Sequence, residues 1–162
     1  MSTIATCPYC YINRNYRQDV LFALNKDLNE ELDYIDEIAA DQAKNYQIWY
    51  RSKHIYILCT LFFISYRHHR QVIADRLNKG DRELDFINSI LEDDPKNYHG
   101  WSYRQWVVKR FNLWEKELSY TSDLIMFDIR NNSAWNYRYY ILFERPTKPT
   151  EEEIKQEIEY VE

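Results

Sequence analysis

Glycine is nearly absent from this chain. Only Gly80 and Gly100 occur among 162 residues, where ordinary usage near 7% would give roughly eleven. So few residues free to adopt positive φ exclude phosphate-cradling glycine loops and two-residue hairpins. Cysteine is scarce as well. Cys7, Cys10 and Cys59 are too few and too unevenly placed for a secreted disulfide framework. Long apolar runs are missing: the longest, Ile55 to Tyr66, has twelve residues against the roughly twenty that cross a bilayer. The first ten residues lack the charged and apolar regions of a signal peptide, so a cytoplasmic location is expected. Basic residues are not in excess either. A net charge of −5 argues against a nucleic-acid binder. Thr150 to Glu162 carries all of it, with six Glu and one Lys, and residues 1–149 balance at 20 basic and 20 acidic.

What is present is apolar and aromatic: 45% hydrophobic residues, with 17% Phe, Trp and Tyr, enough to bury a core. Cys7-Pro-Tyr-Cys10 has the form of a redox motif, but such a motif sits between a strand and a helix, and six residues cannot supply the strand. No second Cys/His pair follows at zinc spacing, so no metal site is expected in this chain. His68 and His69 are adjacent and do not share a helix face, which argues against a common metal. Asp123-Leu-Ile-Met-Phe-Asp128 reads as a core-facing helix end.

An internal repeat organises the rest. Asp41-Gln-Ala-Lys-Asn-Tyr-Gln-Ile-Trp49, Asp94-Pro-Lys-Asn-Tyr-His-Gly-Trp101 and Asp128-Ile-Arg-Asn-Asn-Ser-Ala-Trp135 align. Each follows an acidic-aliphatic stretch that begins at Glu31, Glu83 or Glu117, and the interval from that Glu to Lys44, Lys96 or Arg130 is thirteen every time. Trp101 and Trp135 continue as Trp-x-x-Arg, to Arg104 and Arg138, and Arg104 stands thirteen before Glu117. Leu84, Ile87 and Leu91 space as one apolar helix face, which Pro95 ends. A second helix starts after Asn97, a capping residue. A hairpin of this kind must stack on neighbours to bury both faces, which predicts an all-α superhelix, a solenoid of helical hairpins with a period of about 34. Trp49, Trp101 and Trp135 are expected as wedges, and Arg104 and Arg138 as partners of buried carbonyls or carboxylates. Tetratricopeptide repeats share the period, so spacing alone leaves a non-catalytic protein-binding scaffold open.

The motif Lys-Asn-Tyr-x-x-Trp-x-x-Arg, with Glu-Leu-x-(Tyr/Phe) thirteen residues on, resembles the repeat of protein prenyltransferase α subunits. Within that family the three words look like the α subunit shared by farnesyltransferase and type I geranylgeranyltransferase, and less like the Rab-type α subunit. The resemblance covers 11–49 and 68–162. It implies a heterodimer with a β subunit that transfers a farnesyl or geranylgeranyl group from its diphosphate to the cysteine of C-terminal Cys-a-a-X sequences. It implies roles for residues: Lys44 on the departing diphosphate, with Tyr46 lining the site; Gln47 on the substrate's C-terminal carboxylate; Tyr98 and His99 near the diphosphate; Tyr11 near the peptide channel. Zinc, with magnesium as a further candidate, is expected with the β subunit.

The period breaks once. Lys44 to Lys96 is 52 residues, an excess of eighteen over 34. Removing Tyr50 to Arg67 joins Trp49 to His68-His69-Arg70, restores Trp-x-x-Arg and sets Arg70 thirteen before Glu83. We read residues 50–67, which contain no acid, as an in-frame insertion of the kind a retained intron leaves; the alternative is an extension that contacts a partner. The expected organisation is one helical-repeat domain over 1–162. It comprises a degenerate repeat over 11–40, a second over 41–92 holding the insertion, a third over 93–127 and a truncated fourth over 128–162. In the first, Arg14 occupies the Trp position. Gln156 to Val161 resembles the start of a further first helix.

Overall fold

A computed structural model of the chain describes residues 11–37 and 67–161, with side chains from residue 15 onward in the first stretch. The described residues are helical, with no strand, as expected. The helices are α1 (Tyr11–Ala23), α2 (28–37), α3 (67–77), α4 (Asp81–Asp93), α5 (Tyr98–Phe111), α6 (Glu117–Phe127), α7 (Asn132–Glu144) and α8 (Glu151–Val161). Among them none is long and apolar enough to cross a membrane. The chain divides into two compact units, Met1–Lys79 and Gly80–Glu162.

In the second unit the repeat motif explains its own loop. Asn97 Oδ1 accepts from Gly100 N at 2.9 Å and caps α5, and Asn131 Oδ1 accepts from Ser133 N at 3.1 Å and Ala134 N to cap α7. Three residues before each cap, Asp94 and Asp128 accept from the amides of Lys96 and Arg130. Trp101 Nε1 donates to Pro95 O and Trp135 Nε1 to Ile129 O, both at 2.9 Å. Each Trp therefore pins the loop six residues behind it, and Trp101 also packs against Tyr137 of the next hairpin, with ring centres 4.9 Å apart. Asn131 Nδ2 reaches back to Pro95 O and ties the two loops together.

Helices α4 and α5 pair, α6 and α7 pair, and α5 packs on α7, around Ile87, Leu91, Tyr103, Val107, Ala134 and Ile141. Full burial of one such aliphatic side chain contributes roughly 1.5–3 kcal/mol. The scarcity of glycine is met by asparagine. Asn25, Asn78 and Asn112 adopt φ of 48°, 52° and 58° and close α1, α3 and α5 in the left-handed conformation, which Asn tolerates better than most side chains. Gly80 is a true requirement, because a Cβ there would lie 2.4 Å from the Phe111 ring.

One expectation fails. Asp123–Asp128 does not face the core as a block: Thr121 and Ile125 are the buried stripe of α6, while Met126 and Phe127 are 83% and 89% exposed. At about 100° per residue, the two positions after Ile125 rotate out to solvent.

In the first unit, Leu32, Ile35, Ile73 and Ala74 are buried. The Arg76 guanidinium lies 5.2 Å from the Phe22 ring centre.

Candidate functional site

Of the residues singled out by sequence, Tyr98 and His99 are in view. They form the first turn of α5, directly after the Asn97 cap. Tyr98 is exposed and His99 half-buried, and their rings meet edge-on at 5.5 Å. Lys96, also exposed, precedes them in the loop. A helix start with outward amide hydrogens, an imidazole and an ammonium nearby suits an anionic group. Tyr11 opens α1, but its side chain lies outside the described residues, as do Lys44, Tyr46 and Gln47.

Behind this turn stands a buried polar clasp that holds the hairpins. Glu117, at the start of α6, takes two hydrogen bonds from Arg104 of the preceding hairpin, at 2.7 and 2.8 Å, and one from Tyr137 Oη of its own, at 2.5 Å. Arg104 also donates to Asn88 Oδ1 and lies 3.6 Å over the Tyr120 ring. The interval of thirteen from Arg104 to Glu117 read from the sequence is therefore this ion pair between two hairpins. Glu83 accepts from Tyr103 in the same way as Glu117 from Tyr137. Burial would lower the Arg104 guanidinium, but the Glu117 carboxylate outweighs it and raises it. Burial first, and then the Glu117 charge, pushes the Tyr137 phenol well up, so it donates throughout the physiological range.

The first unit holds the same clasp with one exchange. Arg17 donates to Glu31 at 2.7 and 2.6 Å, and its guanidinium lies 4.5 Å over Tyr34. Where the other hairpins use Tyr, His69 Nε2 meets Glu31 at 2.9 Å, and Gln18 Nε2 bonds His69 Nδ1 at 2.8 Å. With the Gln18 amide donating, Nδ1 is the acceptor and Nε2 carries the proton to Glu31. Burial would raise the Glu31 carboxyl, but the bonds from His69 and Arg17 hold it below its ordinary value. Buried Arg70 pairs with Asp36. Glu31 to His69 is 38 residues, eighteen beyond the interval of twenty in Glu83–Tyr103 and Glu117–Tyr137.

These phenols and the imidazole were missed in the sequence reading, which stopped at Trp-x-x-Arg. The available signal was the residue before each Arg: Tyr103, Tyr137 and His69. The clasp is structural, since its groups are saturated by one another. Among the described residues no group of three or more His, Cys, Asp or Glu is placed to hold a metal ion.

Comparison with known proteins agrees with this repeat geometry. The family model described as protein prenyltransferase alpha subunit repeat matches residues 81–111 and 114–145. Geranylgeranyl transferase type-2 subunit alpha of Saccharomyces cerevisiae is 30% identical over 95 residues, covering 56% of this chain and 25% of that protein. Among solved structures, a chain of Candida albicans protein geranylgeranyltransferase-I complexed with GGPP superposes with a TM-score of 0.72 and 35% identity. That match covers 98% of this chain and 50% of the other. The present chain thus spans half of that chain and a quarter of the yeast protein.

Proposed function

We propose that the chain, whose residues 81–111 and 114–145 match the protein prenyltransferase alpha subunit repeat, works as the α subunit of a farnesyltransferase or type I geranylgeranyltransferase. The observation that carries this reading is the 35% identity to the geranylgeranyltransferase-I chain along 98% of this one. The proposed partner is a β subunit in a cytoplasmic heterodimer. The donor is farnesyl or geranylgeranyl diphosphate, and the acceptor is the cysteine of a Cys-a-a-X terminus.

In that reaction the cysteine sulfur bonds to C1 of the prenyl chain as the C1–O bond breaks. The electron pair leaves with the diphosphate, and the thiol proton passes to solvent. Negative charge on the departing diphosphate is the quantity to stabilise, and cations and donors aimed at its oxygens do so. We assign this to Lys44, whose flexible ammonium can follow moving charge, and to His99 with Tyr98 at the start of α5. Tyr46 lines the same site, Gln47 donates its amide to the substrate carboxylate, and Tyr11 borders the peptide path. Zinc, which activates the thiol, belongs to the β subunit in this proposal.

The 30% identity to a type-2 α subunit supports a second reading with Rab acceptors. Co-expression with type I and type 2 β subunits separates them, scored by prenyl transfer to a Cys-a-a-X peptide and to a Rab protein. We expect the peptide to be modified with the type I partner. Lys44→Ala should lower turnover by about a hundredfold. A dimer indifferent to that change would remove the diphosphate role. The same assay on a chain lacking 50–67 reports whether the intervening residues hinder assembly.

A further inference from the structure

The asparagine at the head of α7 does more than a cap requires. Asn131 is 1% exposed, and its Oδ1 accepts from the amides of Ser133 and Ala134 at 3.1 and 3.4 Å. Asp or Ser would supply that acceptor equally well. Asn differs by carrying N–H donors on a second atom. Here Nδ2 donates to Pro95 O at 3.3 Å, across 36 residues, and joins the α6–α7 turn to the α4–α5 turn.

The turn it reaches is the one that leads into Tyr98 and His99. The shape of that turn is fixed locally. Asp94 O accepts from Asn97 N at 3.0 Å, Asp94 Oδ1 from Lys96 N at 3.2 Å, and Asn97 Oδ1 from Gly100 N at 2.9 Å. Trp101 Nε1 donates to the same Pro95 oxygen at 2.9 Å. A Cβ on Gly100 would lie 3.0 Å from Leu91 Cδ2, so the start of α5 is seated closely on α4. These contacts make residues 94–101 one stiff piece without setting it against the next hairpin. That is done by the Trp101 ring on Tyr137 and by the Asn131 amide on Pro95 O. Ring packing is non-directional and tolerates sliding, whereas a hydrogen bond fixes both distance and angle. This one meets the chain three residues before Tyr98.

We infer, resting on the role proposed above for Tyr98 and His99, that Asn131 is a positioning residue for the diphosphate contacts of this subunit. By holding Pro95 from the next hairpin, its amide nitrogen sets the place of Tyr98 and His99. This role is separate from the cap, which the oxygen makes.

Asn131→Ser and Asn131→Asp test it, because both keep an oxygen on the α7 amides and remove the donor. Circular dichroism should show unchanged helicity. In the full chain alone, NMR of either variant should show shifted Trp101 indole and His99 imidazole signals, with the Trp114 indole unmoved. In the dimer with a type I β subunit, the KM for the prenyl diphosphate should rise about tenfold for Asn131→Ser. It should rise further for Asn131→Asp, which turns an acceptor on Pro95 O, and the KM for the Cys-a-a-X peptide should stay unchanged in both. Added to His99→Ala, Asn131→Ser should cost less than it does alone, since it acts through that side chain. His99 signals unmoved by both substitutions overturn the proposal, whatever the dimer does. So does a diphosphate KM that responds to His99→Ala and not to Asn131→Ser, or full additivity of the two. A diphosphate KM indifferent to His99→Ala removes the underlying role of His99 itself, and the proposal with it.

Discussion

The two units close the same clasp with different locks. In Gly80–Glu162, Glu117 is held by Arg104, whose side chain is 3% exposed, and by a phenol. In Met1–Lys79, Glu31 is held by Arg17, whose side chain is 44% exposed, and by an imidazole that is itself anchored on Gln18. A buried glutamate at the head of a first helix is thus the constant. The Arg is kept in both units and differs in exposure, while the second donor, buried in both, changes from a phenol to an imidazole. A phenol is a fixed donor in this range, whereas an imidazole must be set in one tautomer by a neighbour, and Gln18 is that neighbour.

Breaking the Arg partner gives the largest contrast. Arg104→Met should destabilise the chain by about 3–5 kcal/mol, since it leaves a buried carboxylate without its counter-charge. Arg17→Met should cost less, about 1–2 kcal/mol, because His69 still donates to the buried Glu31 and the half-exposed Arg17 leaves room for water to enter in its place. Urea unfolding of the two variants measures the difference, and equal losses would mean that the clasps are equivalent. Next in size is Tyr137→Phe, expected to cost about 1.5–3 kcal/mol for a buried hydrogen bond to a charged group. A loss under a few tenths would show that the Arg104 fork alone satisfies Glu117.

The smallest effect lies on the acid limb. The folded Glu31 carboxyl sits below its ordinary value of 4.5. Its stabilisation is therefore complete above pH 4.5 and is lost as the pH falls through the lower, folded value. Glu31→Gln should flatten that part of the stability profile and leave the slope near neutrality unchanged. The Arg104 guanidinium is raised above its already high ordinary value by Glu117, so it leaves no trace in the accessible range.

The loops were legible in the sequence because their wiring is local. Asp94, Asn97 and Trp101 bond to groups two, three and six residues away, so one short motif carries the whole turn. Arg104 to Glu117 was legible as an interval, and as the buried carboxylate partner that Arg104 was expected to find. The phenol half of the clasp was not, because a Tyr twenty residues from its Glu becomes a neighbour only when two helices fold back on each other. Met126 and Phe127 went astray for a related reason, since composition names apolar residues but helical phase decides which of them turn inward. Tyr98 and His99, singled out through the resemblance, stand on a capped helix start.

The period, the hairpins and the capping residues were determined by the sequence alone, because each depends on contacts a few residues long repeated at one spacing. Only the tertiary structure decided which groups close the clasp. It showed His69 in the place of a tyrosine on Glu31, and Arg138 reaching Glu157 across nineteen residues instead of thirteen. Partners so distant in sequence carry no local signal. They become partners because a buried charge must find a counter-charge among whatever side chains the packed helices bring near.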